Sequence, residues 1–286
     1  MTDSRTRRRG SLDHWERAGG VPSDGLSGRE SYDPLMQAVR RLDELMANAW
    51  PPQSEETVGG WRYRWTAGLT RRANSALVLG DGDPTALVQH AEAFYRVRGA
   101  STLLQVTTAS APPELASYLG SLGYRSTART LVQVADTREV VARTRSAFVL
   151  EVTDAPTTEW LDLYWSVEVL RGRDDAAQSV YRDVLLAPPL PTVFITASNG
   201  SKILGVGQMV IEQGWAGVQC MATGPDHRRQ GAASAVLHGL GAAAAERGVQ
   251  NMYVAVMADN EAATALYSAA GFTTSHEYSY FTDARE

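Results

Sequence analysis

A six-residue loop near the carboxyl end limits most sharply what this chain can fold into. The loop follows an apolar run and opens an alanine-rich segment. A strand that leads through a glycine loop into a helix makes an anion site, because unpaired N–H groups and the positive end of the helix dipole converge there. Small residues let a ligand approach that backbone. The loop consists of Arg228, Arg229, Gln230, Gly231, Ala232 and Ala233.

The residues around the loop predict the elements that such a site needs. Residues 217–223 are an apolar run typical of a buried strand, and residues 224–226 (Gly-Pro-Asp) predict a turn. Residues 232–247 are rich in alanine and predict a helix, which Gly248 ends as a C-cap. Residues 251–257 predict a second apolar strand. The order strand, loop, helix, strand indicates an α/β unit.

A second pattern follows about thirty residues after the loop. A helical face is predicted there, and Gly271 ends that helix just before Phe272. The face carries Asn260, Ala263, Leu266 and Tyr267. Together, the loop and this face resemble the GNAT superfamily of acyl-CoA-dependent N-acyltransferases. The resemblance covers roughly residues 146–286.

The resemblance implies acetyl-CoA as the donor and assigns its binding residues. The pyrophosphate would sit on the backbone amides of residues 229–233, and Arg228 and Arg229 would add positive charge. In this family the pantetheine arm inserts between two strands that splay apart. It would bond the backbone of one strand like an added strand. The residues of that strand are Met221, Ala222 and Thr223.

The resemblance also assigns the predicted helical face. Tyr267 resembles the general acid of the family, which protonates the sulfur as the CoA thiolate leaves. Asn260 would hydrogen-bond the pantetheine or hold the start of the helix. Ala263, on the same face, would contact the cofactor. Packing in an amphipathic helix is the alternative role for Tyr267.

The general base is not assigned by the pattern. Many relatives carry a glutamate on the strand before the loop, and Gln219 stands at that place, where it takes no proton. Glu212, on a predicted strand over residues 208–212, and Glu168, on an earlier helical stretch, are the alternatives. Either would act through water. A solvated carboxylate without a catalytic role is the other interpretation of each.

The acceptor site in this fold is lined by the first helices and by strand hairpins. Aromatic and acidic side chains there would suit a cationic amine. These residues are Tyr164, Trp165, Glu168, residues 171–175 and Trp215. Arg71 and Arg72, in the first half, are interpreted as structural, or alternatively as contacts for a carboxylate or for the adenosine phosphate of CoA.

The order of elements repeats within the chain. Val106 aligns with Val256, 150 positions later, and Gly123 with Gly271, 148 positions later. An internal repeat predicts two copies of one fold. The predicted class is therefore α/β (α+β), with two tandem GNAT-like domains, each a mixed, mostly antiparallel twisted sheet flanked by helices.

The first copy has lost the features of the binding site. Leu119 stands at the place of Tyr267, and residues 80–83 (Gly-Asp-Gly-Asp) replace the arginine-rich loop. Two carboxylates there would repel a pyrophosphate. We expect a disordered tail over residues 1–30, a degenerate domain without a CoA site over 31–138, and a catalytic domain over 146–286.

Composition narrows the classes of protein to which the chain could belong. The chain has 286 residues, 44% of them apolar, and a formal charge of −5, which argues against a nucleic-acid binder. The single cysteine, Cys220, excludes an internal disulfide, and no histidine cluster predicts a metal site. No apolar run is long enough to span a membrane, and no signal peptide opens the chain. A cytoplasmic protein, monomeric or homodimeric, is expected.

The sequence predicts an N-acetyltransferase that transfers an acetyl group from acetyl-CoA to a primary amine, in a small molecule, by direct attack in a ternary complex. Acetylation of a protein or peptide N-terminus is one alternative. A non-catalytic CoA-binding or scaffold protein is the other, and Gln219 at the place of the glutamate motivates it.

Overall fold

One sheet of eleven strands runs through the part of the chain that the computed structural model describes, residues 34–80, 82–170, 172 and 175–283. Residues 35–283 lie within one unit of the chain. The first five strands are β1 (Ser54–Val58), β2 (Trp61–Trp65), β3 (Ala76–Val78), β4 (Leu103–Thr107) and β5 (Tyr124–Asp136). The other six are β6 (Val149–Thr153), β7 (Thr192–Ser198), β8 (Ile203–Glu212), β9 (Trp215–Thr223), β10 (Asn251–Met257) and β11 (Thr273–Asp283).

Helices connect these strands. In the first half they are α1 (Pro34–Asn48), α2 (Pro84–Arg96), α3 (Leu115–Ser121) and α4 (Thr137–Arg143). In the second half they are α5 (Thr158–Leu170), α6 (Asp175–Leu186), α7 (Ala232–Glu246) and α8 (Glu261–Ala269). The tail predicted over residues 1–30 lies outside the described residues. The interval between the two predicted domains contains α4, which packs against α7 where Val140 and Val141 meet Gly241.

The two halves exchange their last strands. The strand order is β1-β2-β3-β4-β11-β5-β10-β9-β8-β7-β6. The strand that ends the second half, β11, lies between β4 and β5 and is antiparallel to both. The strand that ends the first half, β5, lies between β11 and β10 and is antiparallel to both. Each half therefore completes the other.

The predicted internal repeat is confirmed by this topology. In the first half β3 runs parallel to β4, with α2 as the crossover, and α3 then leads to β5. In the second half β9 runs parallel to β10, with α7 as the crossover, and α8 then leads to β11. Parallel neighbours need such a crossover connection. The remaining pairs are antiparallel, as predicted for this fold class.

Strands β1 and β11, which the sequence patterns did not predict, shape the sheet. A tight hairpin joins β1 to β2, and β2 pairs antiparallel with β3. All five residues of β1 are exposed, so this strand carries no apolar alternation. Gly59 and Gly60 form its turn with φ of +57° and +79°. Strand β11 runs antiparallel to the long strand β5.

Three of the buried clusters among the described residues pack the helices against the sheet. One packs α7 against the second half of the sheet around Met209, Val236 and Leu240. Another packs α2 and α3 against the first half, with Trp61 and Tyr63 fully buried. The third is mainly aromatic and joins Trp50, which follows α1, to side chains of α5, α6 and β7. These aromatic residues are Trp160, Tyr164, Tyr181 and Phe194.

A buried pair ties the exchanged strand to the first helix. His276 Nε2, on β11, lies 3.1 Å from Asp43 Oδ1, on α1, and the two side chains are 1% and 0% exposed. Ser275 Oγ lies 3.2 Å from the other ring nitrogen of His276. Since a buried polar group without a partner destabilises the folded state, this contact helps to fix β11 in the first half.

We predict that Asp43→Ala lowers the free energy of unfolding by about 1–3 kcal/mol, because the buried imidazole of His276 loses its partner. Urea denaturation followed by circular dichroism measures this change. Glu277→Ala is the matched control, since it removes an exposed pair with Arg129 from the same strand. That change should stay below about 1 kcal/mol. Equal losses in both variants would contradict the role of the buried pair.

Candidate active site

The site begins where β9 and β10 part from each other. Their parallel pairing runs from Trp215 and Asn251 to Val218 and Val254 and stops there, although both strands continue. Cys220 has φ of +54°, and the pairing of β8 with β9 shifts register at this point. One extra residue in β9 makes this a β-bulge, which bends a strand away from its neighbour. A wedge therefore opens between β9 and β10, as the family resemblance implied.

A cleft of about 1350 Å³ lies at this wedge. Most of the residues predicted to bind the cofactor line it. They are Met221, Thr223, Arg228, Arg229, Gly231, Ala232, Ala233, Asn260, Ala263 and Tyr267. Ala222 does not line the cleft, because its side chain is buried on the other side of the strand with Val206 and Phe194. Gln230 does not line it either, and its side-chain amide donates to the carbonyl of Asp226 at 3.0 Å.

The start of α7 opens into the cleft without a cap from a side chain. Gly231 is the N-cap residue, with φ of +91°, and no side chain in the described part of the chain caps the first turn. Arg229 also has a positive φ of +62°. Left-handed residues of this kind turn successive backbone N–H groups toward one point. The helix start therefore presents donors and a positive dipole end to whatever occupies the cleft.

The matching helix start in the first copy is closed. Asp83 is the N-cap of α2, and its carboxylate accepts from the backbone N–H of Thr85 at 3.1 Å. The loop before it packs against the β1–β2 turn, so that a Cβ added at Gly80 would lie 2.0 Å from the Gly59 carbonyl oxygen. The carboxylate and the turn leave no comparable anion site at α2.

Asn260 and Tyr267 stand at opposite ends of α8. Asn260 Oδ1 accepts from the backbone N–H of Ala263 at 3.2 Å, so this residue holds the start of the helix. Tyr267, near the end of the helix, is 5% exposed and lines the cleft. Its ring meets Phe272 edge to face, with centroids 5.6 Å apart. This packing fixes the ring of a residue that lines the cleft.

The other end of the cleft is aromatic and contains one buried carboxylate. Glu168, on α5, is 4% exposed, and Tyr181, on α6, donates to its Oε2 at 3.3 Å. Burial raises the pKa of the neighbouring Tyr164 well above its usual value, and Cys220 and Glu168 add to the rise. Tyr164 therefore stays protonated at neutral pH. Glu168 is the one Asp or Glu among the described lining residues.

Several predicted acceptor-site or catalytic residues lie elsewhere. The Glu212 carboxylate is at the β8–β9 turn, where Asn48 Nδ2 donates to both its oxygens at 3.1 and 3.2 Å, and it does not line the cleft. The register of β8 with β9, which the sequence does not specify, places Glu212 at this turn. Trp165 and Trp215 do not line the cleft. Arg171, Arg173 and Asp174 lie outside the described residues.

Gln219 lines the cleft at the place where relatives carry a glutamate. Its Nε2 donates to the carbonyl of Ala49 at 3.0 Å and to Gln208 Oε1 at 3.3 Å. An amide suits these two acceptors, whereas a carboxylate would repel them. The residue therefore links the strand before the loop to the end of α1 and acts as a structural contact.

Sequence reasoning missed several of the residues that line the cleft. Strand exchange brings two tyrosines of β11 to the cleft, and the chain after α1 adds further residues. These are Trp50, Thr70, Asn74, Tyr278 and Tyr280. Arg71 and Arg72, for which a ligand contact was the alternative interpretation, line it too. The alternation of Tyr278 and Tyr280 is the signal from which β11 could have been predicted.

A comparison with family models decides the family. Residues 37–281 match the model described as "Probable histone acetyltransferase Rv0428c C-terminal". The chain belongs to this family. The match runs through both copies, so the family is defined over both halves of the chain.

Individual relatives agree with this assignment. The chain is 26% identical over 247 residues to an uncharacterized N-acetyltransferase, YobR, of Bacillus subtilis (strain 168), covering 86% of this chain and 98% of that protein. A GCN5-related N-acetyltransferase from Kribbella flavida has a TM-score of 0.66 at 12% identity, covering 89% and 97% of the two chains. A tandem GNAT protein from the clavulanic acid biosynthesis pathway has a TM-score of 0.60 at 15% identity, covering 87% and 92%.

These likenesses confirm the tandem GNAT fold and support an N-acetyltransferase. The structural neighbours are too distant in sequence to carry more than the fold. Among the described residues, no group of three or more His, Cys, Asp or Glu side chains is arranged to hold a metal ion. None of the described helices is both long enough and apolar enough to cross a membrane.

We predict that Asn260→Ala lowers the free energy of unfolding by about 1 kcal/mol, because the first turn of α8 loses its cap. Chemical denaturation measures the loss. Asn260→Ser is the matched control, since a serine hydroxyl also caps a helix and should restore most of the stability. If the alanine and serine variants were equally stable, the contact with Ala263 would not hold the helix.

Proposed function

We propose that this protein is an N-acetyltransferase that transfers an acetyl group from acetyl-CoA to a primary amine of a small molecule. The observation that carries the proposal is the uncapped start of α7 at the wedge between β9 and β10. The start of α7 supplies backbone N–H donors for a pyrophosphate. The wedge leaves strand backbone unpaired, to which an extended pantetheine arm can hydrogen-bond. Membership of the acetyltransferase family supports the same conclusion.

In this proposal the donor lies along the wedge. Its pyrophosphate meets the amides of residues 229–233, with the Arg228 and Arg229 side chains adding positive charge. Its pantetheine arm bonds the backbone of Met221 and Thr223, where β9 has left β10. The thioester then reaches the bulge at Cys220, and Tyr267 lines the same cleft.

The transfer is a direct attack in a ternary complex. The neutral amine nitrogen adds to the thioester carbonyl carbon, and the oxyanion is stabilised by β9 amides. The carbon–sulfur bond then breaks, and Tyr267 gives its proton to the departing thiolate. The amine loses a proton to water or to Glu168, which is the one carboxylate among the described lining residues. Glu212 is left out, because it is held by Asn48 away from the cleft.

The first copy has a different part in this proposal. It binds no CoA, since Asp83 and the β1–β2 turn fill the start of α2. Instead, Trp50 and residues of the loop before β3 line the cleft, among them Thr70, Arg72 and Asn74. Side chains of both copies thus enclose the acceptor, which favours a small amine over an extended peptide.

We predict that Gly231→Asp weakens acetyl-CoA binding at least about 10-fold, because a carboxylate at the start of α7 repels the pyrophosphate and caps the helix, as Asp83 does at α2. Isothermal titration calorimetry with acetyl-CoA measures the affinity. Longer acyl-CoA esters, measured alongside, report the preferred chain length.

Gly248→Asp is the control for this variant. It adds the same charge at a residue of similar conformation, φ of +72°, at the other end of the same helix. The Cβ has open space at both positions: its nearest neighbour at Gly231 is 3.9 Å away, and Gly248 has none within 4 Å. Binding should be kept in this control. Wild-type protein that binds no acyl-CoA would sink the transferase proposal in favour of a scaffold.

We predict that Tyr267→Phe lowers turnover by roughly 10²-fold or more and leaves acetyl-CoA affinity unchanged, because the ring packing on Phe272 is kept and only the acid is lost. Steady-state kinetics with an amine acceptor and calorimetry with acetyl-CoA measure the two quantities. Tyr253→Phe, which removes another buried phenol outside the cleft lining, is the control. Unchanged turnover in Tyr267→Phe would exclude this residue as the acid.

A further inference from the structure

Arg72 is held rigidly at the cleft by the loop that precedes it. The residue begins a short 3₁₀ turn, Arg72–Asn74, and its guanidinium lies 4.7 Å above the Trp50 ring. Trp50 is fixed in turn, since its Nε1 donates to Thr70 Oγ1 at 3.1 Å. Stacking on an aromatic face orients a guanidinium without neutralising it. The positive charge of Arg72 is therefore held in a fixed position, where a ligand in the cleft can contact it.

The buried side-chain amide of Asn74 fixes the conformation of this loop. Asn74 Oδ1 accepts from the backbone N–H groups of Thr66 at 2.8 Å and Gly68 at 3.0 Å, and Asn74 Nδ2 donates to the Thr70 carbonyl at 2.8 Å. These bonds close the segment that carries Arg72 into a compact loop. Such a fixed frame is what a binding side chain requires if it is to lose little entropy on contact with a ligand.

Arg72 differs from two nearby arginines, Arg62 and Arg64, in having no hydrogen-bond acceptor among the described residues. Arg64 donates to the Ser75 carbonyl, to Ser75 Oγ and to Gln105 Oε1, at 2.7–2.9 Å. Arg62 pairs with Glu55 and with Asn48 Oδ1 at 3.0 Å. No hydrogen bond or ion pair of Arg72 is found in the part of the chain that the structure describes.

Arg72 lines the cleft together with Tyr164, Cys220, Tyr278 and Tyr280. Cys220 is the bulged residue of β9, next to the backbone at which the proposed thioester would lie. The Trp50 ring beneath the half-buried guanidinium also meets Tyr181, whose hydroxyl donates to Glu168, and this contact places Arg72 near the aromatic end of the cleft. A planar cation in a cleft lined by aromatic hydroxyls, with no ion pair among the described residues, fits a carboxylate.

We propose that Arg72 binds a carboxylate of the acceptor, so that the substrate is a small amine that also carries a carboxylate. This inference rests on the proposed transferase function and adds a substrate class to it. Arg72 is supplied by the degenerate first copy, which gives that half a specific part in substrate selection. The guanidinium fork forms two parallel hydrogen bonds with the two carboxylate oxygens.

The test compares matched pairs of amines that differ only in the carboxylate: tyrosine with tyramine, phenylalanine with phenethylamine, and lysine with cadaverine. Formation of the N-acetyl product is followed by mass spectrometry. At least one carboxylate-bearing amine should be acetylated with kcat/KM about 10-fold or more above its matched amine. Arg72→Met should then reduce kcat/KM for that substrate by about 10- to 100-fold and change the matched amine little.

Two further variants protect this test from trivial loss of folding. Arg72→Lys keeps the charge without the fork and should recover part of the activity. Arg98→Met removes another arginine stacked on a ring, 3.6 Å above Phe94, outside the cleft lining, and should keep wild-type selectivity. Thermal unfolding of all three variants shows whether each is folded.

The outcomes separate this inference from the proposed function. Acetyl-CoA binding that is intact in wild type and in Arg72→Met supports the donor site independently of the acceptor. A panel in which no carboxylate-bearing amine exceeds its partner, or in which none reacts, would then overturn the carboxylate inference alone. Weakened acetyl-CoA binding in Arg72→Met would also overturn it, because Arg72 would then contact the donor.

Discussion

The exchange of terminal strands is the constraint on which the rest of this structure depends. Because β11 fills the place between β4 and β5, and β5 the place between β11 and β10, neither copy has a complete sheet alone. The same exchange carries Tyr278 and Tyr280 to the cleft of the second copy. Folding and site construction are thus one event. The buried contact of His276 with Asp43 ties the exchanged strand to α1.

Duplication has divided the work between the copies. The second copy has an open helix start at Gly231 and a bulged β9, to which the proposed function assigns the donor. The first copy has a capped helix start at Asp83 and supplies Trp50 and Arg72 to the cleft. A site built from two copies can change its acceptor through one half while the donor half stays constant.

Local patterns predicted the elements well and long-range pairing poorly. Residues 251–257 form β10 as predicted, and the loop over 228–233 leads into α7, because apolar runs, glycines and caps act within a few residues. The exposed β1 carries no such pattern. Glu212 was proposed as a base from its place in the chain, but pairing of β8 with β9 sends it to a turn. Arg72 entered the cleft through loop closure, which no local pattern encodes.

The two helix starts differ in what they need from outside the chain. The Asp83 carboxylate caps the start of α2, so a side chain of the protein itself accepts a hydrogen bond from the first turn of that helix. Among the described residues no side chain caps α7, so its first donors are left for water or for a bound anion. Anything that binds the folded chain alone raises its stability by mass action. If the donor binds there as proposed, the heat tolerance and cellular lifetime of this protein are coupled to the supply of that donor, and the protein is less durable in a starved cell than in a well-fed one.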